Sequence, residues 1–213
     1  MTSNDLTHIY FLLDRSGSMT TIKTDTEGGF AAFVAEQRAA PGRCRVTLAQ
    51  FDNTYELVYC GLPIAEVPPL ALQPRGGTAL LDAMGTLITD AGAELAALPE
   101  HDRPGTVIVA VMTDGQENAS RRWNHPAVKA LVQQQATAYS WQFLYMGADQ
   151  NAIEVGASLG VNRDHAVTYG RGHTEEMLTT TSGMVSTLRA ARMHDPGAVM
   201  AGYSADVRAK LAD

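Results

Sequence analysis

Residues 8–18 read H-I-Y-F-L-L-D-R-S-G-S, and residues 106–115 read T-V-I-V-A-V-M-T-D-G. Each is a near-continuous apolar run that stops at an aspartate, Asp14 in the first and Asp114 in the second. Short apolar runs bounded by turn formers are the pattern of strands covered on both faces, since neither row of side chains may then meet water. Working outward, helical patterning covers residues 19–39, interrupted by Gly28-Gly29, where close packing or a bend is expected. Strands follow at 45–51 and 55–62 around the turn Asp52-Asn53-Thr54. Beyond a proline-rich loop at 63–74, a helix over 78–98 carries Leu81, Met84, Ile88, Ala91 and Leu95 on one stripe. A helix over 126–139 starts at Pro126, with Asn124 or His125 as cap. A core strand is expected at 141–146, a helix at 149–159 closed by Gly160, and a short last strand at 166–169. Met177, Leu178, Thr181, Met184, Val185 and Leu188 then fall at helical spacing before the breaker Asp195-Pro196-Gly197, and Ser204 can cap a final short helix.

This alternation predicts a three-layer, doubly wound α/β fold: a mostly parallel sheet with helices on both faces and one antiparallel edge strand supplied by the hairpin. The 213 residues contain no repeat, low-complexity tract or linker, so a single domain over 1–213 is expected, with a core at about 6–170 and a C-terminal helical extension at about 173–213. Hydrophobic residues at 45% and charged residues at 18% are enough for a sizeable core and exclude whole-chain disorder. Sixteen Lys and Arg against 23 Asp and Glu give a net charge of −7, which disfavours nucleic acid as a partner and is compatible with cation binding. No strictly apolar run exceeds the six residues of 107–112, too short to cross a membrane, and the opening M-T-S-N-D-L-T-H lacks the features of a secretory leader. A cytoplasmic, bacterial-type setting is therefore expected. Cys44 and Cys60 should lie near each other across the hairpin, yet as free thiols in a reducing compartment. His8, His101, His125, His165, His173 and His194 are scattered without ligand spacing, so no zinc site is expected.

In open sheets of this kind, ligands sit beyond the carboxyl ends of the strands where strand order reverses. Asp14 and Asp114 end two such strands. D-R-S-G-S adds Ser16 and Ser18 at a helix start, and G-G-T-A-L adds Thr78 at another. If the three loops converge, they offer two carboxylates and three hydroxyls, all hard oxygen donors suited to Mg2+, Mn2+ or Ca2+. Each piece also has a plainer role: Ser16 and Ser18 as helix caps, Asp114 as the stabiliser of its own turn. Asp82 reads as a helix-face residue or a more distant support of the site. Glu117 and Asn118 read as a solvated loop or a rim. Trp123, beside Arg121 and Arg122, is either an exposed anchor for a partner or a side chain packed under its own loop.

D-x-S-x-S after a first buried strand, a Thr in a G-G-T loop, and T-D-G after a later buried strand together resemble the von Willebrand factor type A domain. The resemblance spans about residues 6–170 and implies a metal-ion-dependent adhesion site at Asp14, Ser16, Ser18, Thr78 and Asp114. It implies that Ser16, Ser18 and Thr78 are direct ligands of Mg2+ (or Mn2+ or Ca2+), with Asp14 and Asp114 acting through water or directly. It further implies metal-dependent protein–protein recognition, in which the metal takes an Asp or Glu carboxylate from a partner, or membership of a larger ATPase-containing complex. Enzymatic activity is not expected. A phosphotransferase of the haloacid-dehalogenase type, with Asp14 as nucleophile, would need a second Asp where Ser16 stands. The chain also lacks G-x-x-x-x-G-K-[ST] and G-x-G-x-x-G.

Overall fold

The computed structural model describes residues 2–212. Six strands form one sheet in the order β3-β2-β1-β4-β5-β6. They are β1 (Ser3–Asp14), β2 (Arg43–Phe51), β3 (Tyr55–Pro63), β4 (Pro104–Thr113), β5 (Gln142–Ala148) and β6 (Ala166–Tyr169). Every neighbouring pair is parallel except β2 with β3, which the Asp52–Thr54 turn folds back into an antiparallel edge. The helices are α1 (Lys23–Ala39), α2 (Leu80–Ala97), α3 (His125–Tyr139), α4 (Ala152–Ser158), α5 (Thr174–Arg192) and α6 (Ala205–Ala212). The elements follow the order read from the sequence, with shifted ends. β1 begins five residues early, and α1 is preceded by a 3-10 turn over Gly17–Ile22.

The two faces of β1 explain the layering. Ile9, Phe11 and Leu13 join α1 and α5 through Phe30, Phe33, Leu178 and Val185 on one face. Tyr10 and Leu12 join α2 and α3 through Met84, Ile88, Val128 and Val132 on the other. Because successive strand side chains alternate, a strand buried on both faces shows no polar–apolar alternation, which is why β1 and β4 appear as solid apolar runs. Gly29 marks a close approach of α1 to α5, since a Cβ there would lie 2.7 Å from Leu178. Asn124 caps α3 by accepting the Ala127 N–H at 3.0 Å, and Ser204 caps α6 through the Val207 N–H at 3.3 Å.

The cysteines do not meet. Both thiols are free, but register shifts on either side of Leu48 move the β2–β3 pairing, and Cys60 lies against Thr47 instead of Cys44. Cys44 is buried with the α1–α5 core, while the Cys60 Sγ approaches Glu94 of α2 at 3.6 Å on the other face. A hairpin counted from its turn assumes unbroken pairing, and each bulge defeats that count.

Candidate metal centre

The strand order reverses between β1 and β4, and the loops that follow these two strands meet at their carboxyl ends. Asp14 is fully buried. Its Oδ1 accepts the Ser16 N–H at 2.6 Å, and its Oδ2 accepts the Thr113 hydroxyl at 2.5 Å. The exposed Ser18 stands between the loops: its hydroxyl donates to Asp114 Oδ1 at 2.6 Å and lies 3.1 Å from the Ser16 hydroxyl. Thr78 enters from the loop before α2. A Cβ on Gly115 would stand 2.6 Å from the Thr78 hydroxyl, so that hydroxyl adjoins the residue next to Asp114. All five residues named from the sequence therefore gather at one place.

Backbone and side-chain bonds hold the three loops together. Arg75 and Gly17 donate backbone N–H groups to the carbonyls of Arg15 and Gly76, which joins the G-G-T loop to the D-x-S-x-S loop. Thr78 and Asn118 clasp each other, through Thr78 N–H to Asn118 Oδ1 at 2.9 Å and Asn118 N–H to the Thr78 carbonyl at 3.0 Å. Glu117 accepts the Leu81 N–H at the start of α2 together with the N–H groups of Ala119 and Ser120. Asp82 accepts three consecutive N–H groups, from Arg121, Arg122 and Trp123, at 2.8–2.9 Å. Neither Glu117 nor Asn118 is a merely solvated loop residue, and Asp82 does more than face water from its helix. Each fixes the loop that carries Asp114 against α2. The Trp123 ring lies on Gly85, where a Cβ would sit 2.2 Å away, so this tryptophan packs under its own loop.

The electrostatics of the two aspartates are unusual. Burial pushes the Asp14 carboxyl up to about 6; the hydrogen bonds from Thr113 and Ser16 oppose this, and the neighbouring Asp114 charge adds to it. Burial likewise raises Asp114, against the Ser18 hydrogen bond and the Arg171 charge. Asp114 Oδ2 is buried and accepts no hydrogen bond, although the Arg171 Nη2 stands 3.2 Å away as an ion pair. A buried carboxylate oxygen without a hydrogen bond is costly to leave so. A hard cation would satisfy that oxygen. Among the described residues no group of three His, Cys, Asp or Glu side chains is placed to hold a metal, so a metal here must draw on hydroxyls. The donor set present fits Mg2+, Mn2+ or Ca2+ in that respect.

Sequence reading missed Thr113, Asp52, Arg15, Arg75 and Arg171. Thr113 precedes Asp114 in T-D-G and was available in the motif. Arg15 stands inside D-R-S-G-S and Arg75 directly before G-G-T, whereas Asp52 and Arg171 reach the centre only through tertiary contacts.

No family model matches the sequence, and no curated protein matches it. Solved structures do match its fold. The von Willebrand factor type A protein from Catenulispora acidiphila aligns over 84% of this chain and 42% of its own, at 14% identity and a TM-score of 0.57. The vWF domain of the type V pili tip protein Mfa5 from Porphyromonas gingivalis aligns over 85% of this chain and 95% of its own, at 11% identity and 0.57. The pilus adhesin SpaC from Lactobacillus rhamnosus GG aligns over 84% of this chain and 30% of its own, at 14% identity and 0.57. A doubly wound sheet with a single antiparallel edge and polar loops at the β1–β4 reversal defines an open α/β domain with its site at the strand ends. The fold is that of von Willebrand factor type A domains. The chain spans less than half the length of the Catenulispora protein.

Proposed function

We propose that this chain is a divalent-metal-dependent protein-binding domain, with Asp14, Ser16, Ser18, Thr78 and Asp114 as its metal site and Mg2+ as the favoured ion. The observation that carries this reading is Asp114: its Oδ2 is buried without a hydrogen bond, next to a second buried acid and three hydroxyls. A bound divalent cation supplies a hard, positively charged centre at the molecular surface. The chain's own residues determine how much of that charge is left for a partner. Ser16, Ser18 and Thr78 are neutral donors. Asp14 is already engaged by the Ser16 N–H and the Thr113 hydroxyl, which holds its oxygens in fixed directions. Donors of this kind leave the site attractive to an incoming Asp or Glu carboxylate from another protein, the partner chemistry we assign. Two of the proteins that share the fold are a pilus tip protein domain and a pilus adhesin, which accords with a role in protein contacts.

The test is thermal. Ligand that binds only the folded state stabilises it by about 2.7 kcal/mol at a hundredfold excess over Kd. Millimolar Mg2+ or Mn2+ is expected to raise the melting temperature of the chelated protein, and Asp14→Ala is expected to abolish the rise. Equal melting with and without metal in the unmutated protein would overturn the reading.

A further inference from the structure

The guanidinium of Arg171 lies where four loops converge. It belongs to the 3-10 turn Arg171–His173 between β6 and α5, and the Thr174 hydroxyl donates to its carbonyl at 2.9 Å. Its Nη2 stands 3.2 Å from Asp114 Oδ2 in the loop after β4. Its Nε donates to Asp149 Oδ2 at 2.7 Å in the loop after β5. Its Nη1 donates to the Thr21 hydroxyl and reaches the Ser18 carbonyl at 3.4 Å in the turn after β1.

These bonds are unequal. A guanidinium engages a carboxylate best as a two-pronged fork, with two parallel N–H bonds to one acid. Arg171 spreads its prongs over different groups. Its well-formed bonds go to Asp149 and Thr21, and its approach to Asp114 satisfies distance without satisfying hydrogen-bond direction. Asp114 is thus neutralised by a cation that is anchored elsewhere and can release it without losing its own place.

We propose that Arg171 is the resident counter-cation of Asp114: it compensates the buried carboxylate in the metal-free protein and competes with the divalent ion for it, so that it sets the metal affinity of the site. The inference rests on the metal-site reading above. With Arg171 in place, a divalent ion must approach a fixed positive charge and take over an oxygen that is already paired. Without Arg171, both penalties vanish, while the metal-free protein is left with two uncompensated buried acids at one edge.

The experiment titrates Mg2+ and Mn2+ into the unmutated chain, Arg171→Gln and Arg171→Lys by calorimetry, and melts each in chelator. Arg171→Gln is expected to bind both metals about tenfold more tightly or better, to melt lower in chelator, and to show a larger metal-induced rise. Arg171→Lys keeps the charge but cannot span Asp149 and Asp114 together, so it should fall between. A second readout needs no variant: the Arg171 Nε–Hε resonance of the unmutated protein should shift during Mg2+ titration, with its midpoint at the calorimetric Kd. Metal binding by both the unmutated chain and Arg171→Gln with unchanged or weaker affinity in the variant overturns the proposal and leaves the metal site standing. So does an unmoved Nε–Hε signal under saturating Mg2+. Failure of both proteins to bind either metal overturns the metal reading itself, and this inference with it.

Discussion

Two neighbourhoods of buried aspartate lie at the same edge of the sheet, and they are built on opposite terms. Asp52, in the turn after β2, is 5% exposed, and its Oδ2 receives Nε donors from Arg15 and Arg75 at 3.0 and 2.8 Å. Its Oδ1 takes the Thr54 N–H and hydroxyl. Burial alone would raise its carboxyl, but the Thr54 and Arg75 hydrogen bonds and the Arg15 charge together hold it below the ordinary range. Asp14 and Asp114, one loop away, have fewer donors and are raised by burial. Among the described residues Asp14 pairs with no cation, and Asp114 has one that makes no hydrogen bond to its buried oxygen. Saturation marks the acid that shapes the loops. Shortage marks the acids that have something left to bind.

The contrast can be broken by mutation. Removing one partner of a buried ion pair strands the other, at about 3–5 kcal/mol. Asp52→Ala leaves Arg15, whose side chain is 5% exposed, with only Glu56. It should lose about that much stability in urea denaturation, by the same amount with and without Mg2+. Asp14→Ala should lose little or none in chelator. A smaller loss for Asp52→Ala than for Asp14→Ala would erase the distinction.

Acid sharpens it. The folded-state pKa of Asp14 is raised to about 6, so its contribution to stability is full below its unfolded value near 3.8 and is lost as pH rises through 6. His8 runs the other way. Burial, with a smaller contribution from the Arg45 charge, lowers its pKa to about 3, so its contribution is present above 6.5 and is lost as pH falls toward 3. Between pH 4 and 6 the two slopes oppose each other at about 1.4 kcal/mol per pH unit each. Chelated Asp14→Asn should therefore lose stability on acidification more steeply than the unmutated protein, by about that slope. Parallel curves would show that Asp14 titrates normally and that the shortage around it is not felt.

The smallest effect on the fold belongs to Thr78→Ala. The Thr78 hydroxyl donates to no other described residue, so its loss should change chelated stability by no more than about 0.5 kcal/mol and leave the circular-dichroism spectrum unchanged. Metal-dependent partner capture should nevertheless disappear. Normal capture by Thr78→Ala would move the hydroxyl from the working group to the scaffold.

The fold was largely legible because β1 and β4 are apolar on both faces, and only helix-covered parallel strands require that. The convergence of the five candidate residues was legible because they sit at strand ends and helix starts, where local sequence dictates position. Their supports were not. Asp82 looks like any exposed carboxylate on α2 until a loop nearly forty residues away lays three N–H groups on it. Arg171 comes 57 positions after Asp114, and nothing local announces their meeting. The hairpin register failed for the same reason in miniature, since the bulges beside Leu48 are settled by packing and not by the turn.

The seating of Trp123 on Gly85 has an optical consequence. The chain has two tryptophans. Trp141 is buried among Tyr10 and Phe143 just ahead of β5, at the amino-terminal end of that strand. Trp123 closes the loop that begins at Asp114, and its indole lies against a helix backbone with no side chain between them. Any repositioning of that loop when a ligand arrives changes the polarity around one indole and leaves the other as an internal standard. The protein thus carries its own fluorophore, wired to the loop whose position a ligand would alter.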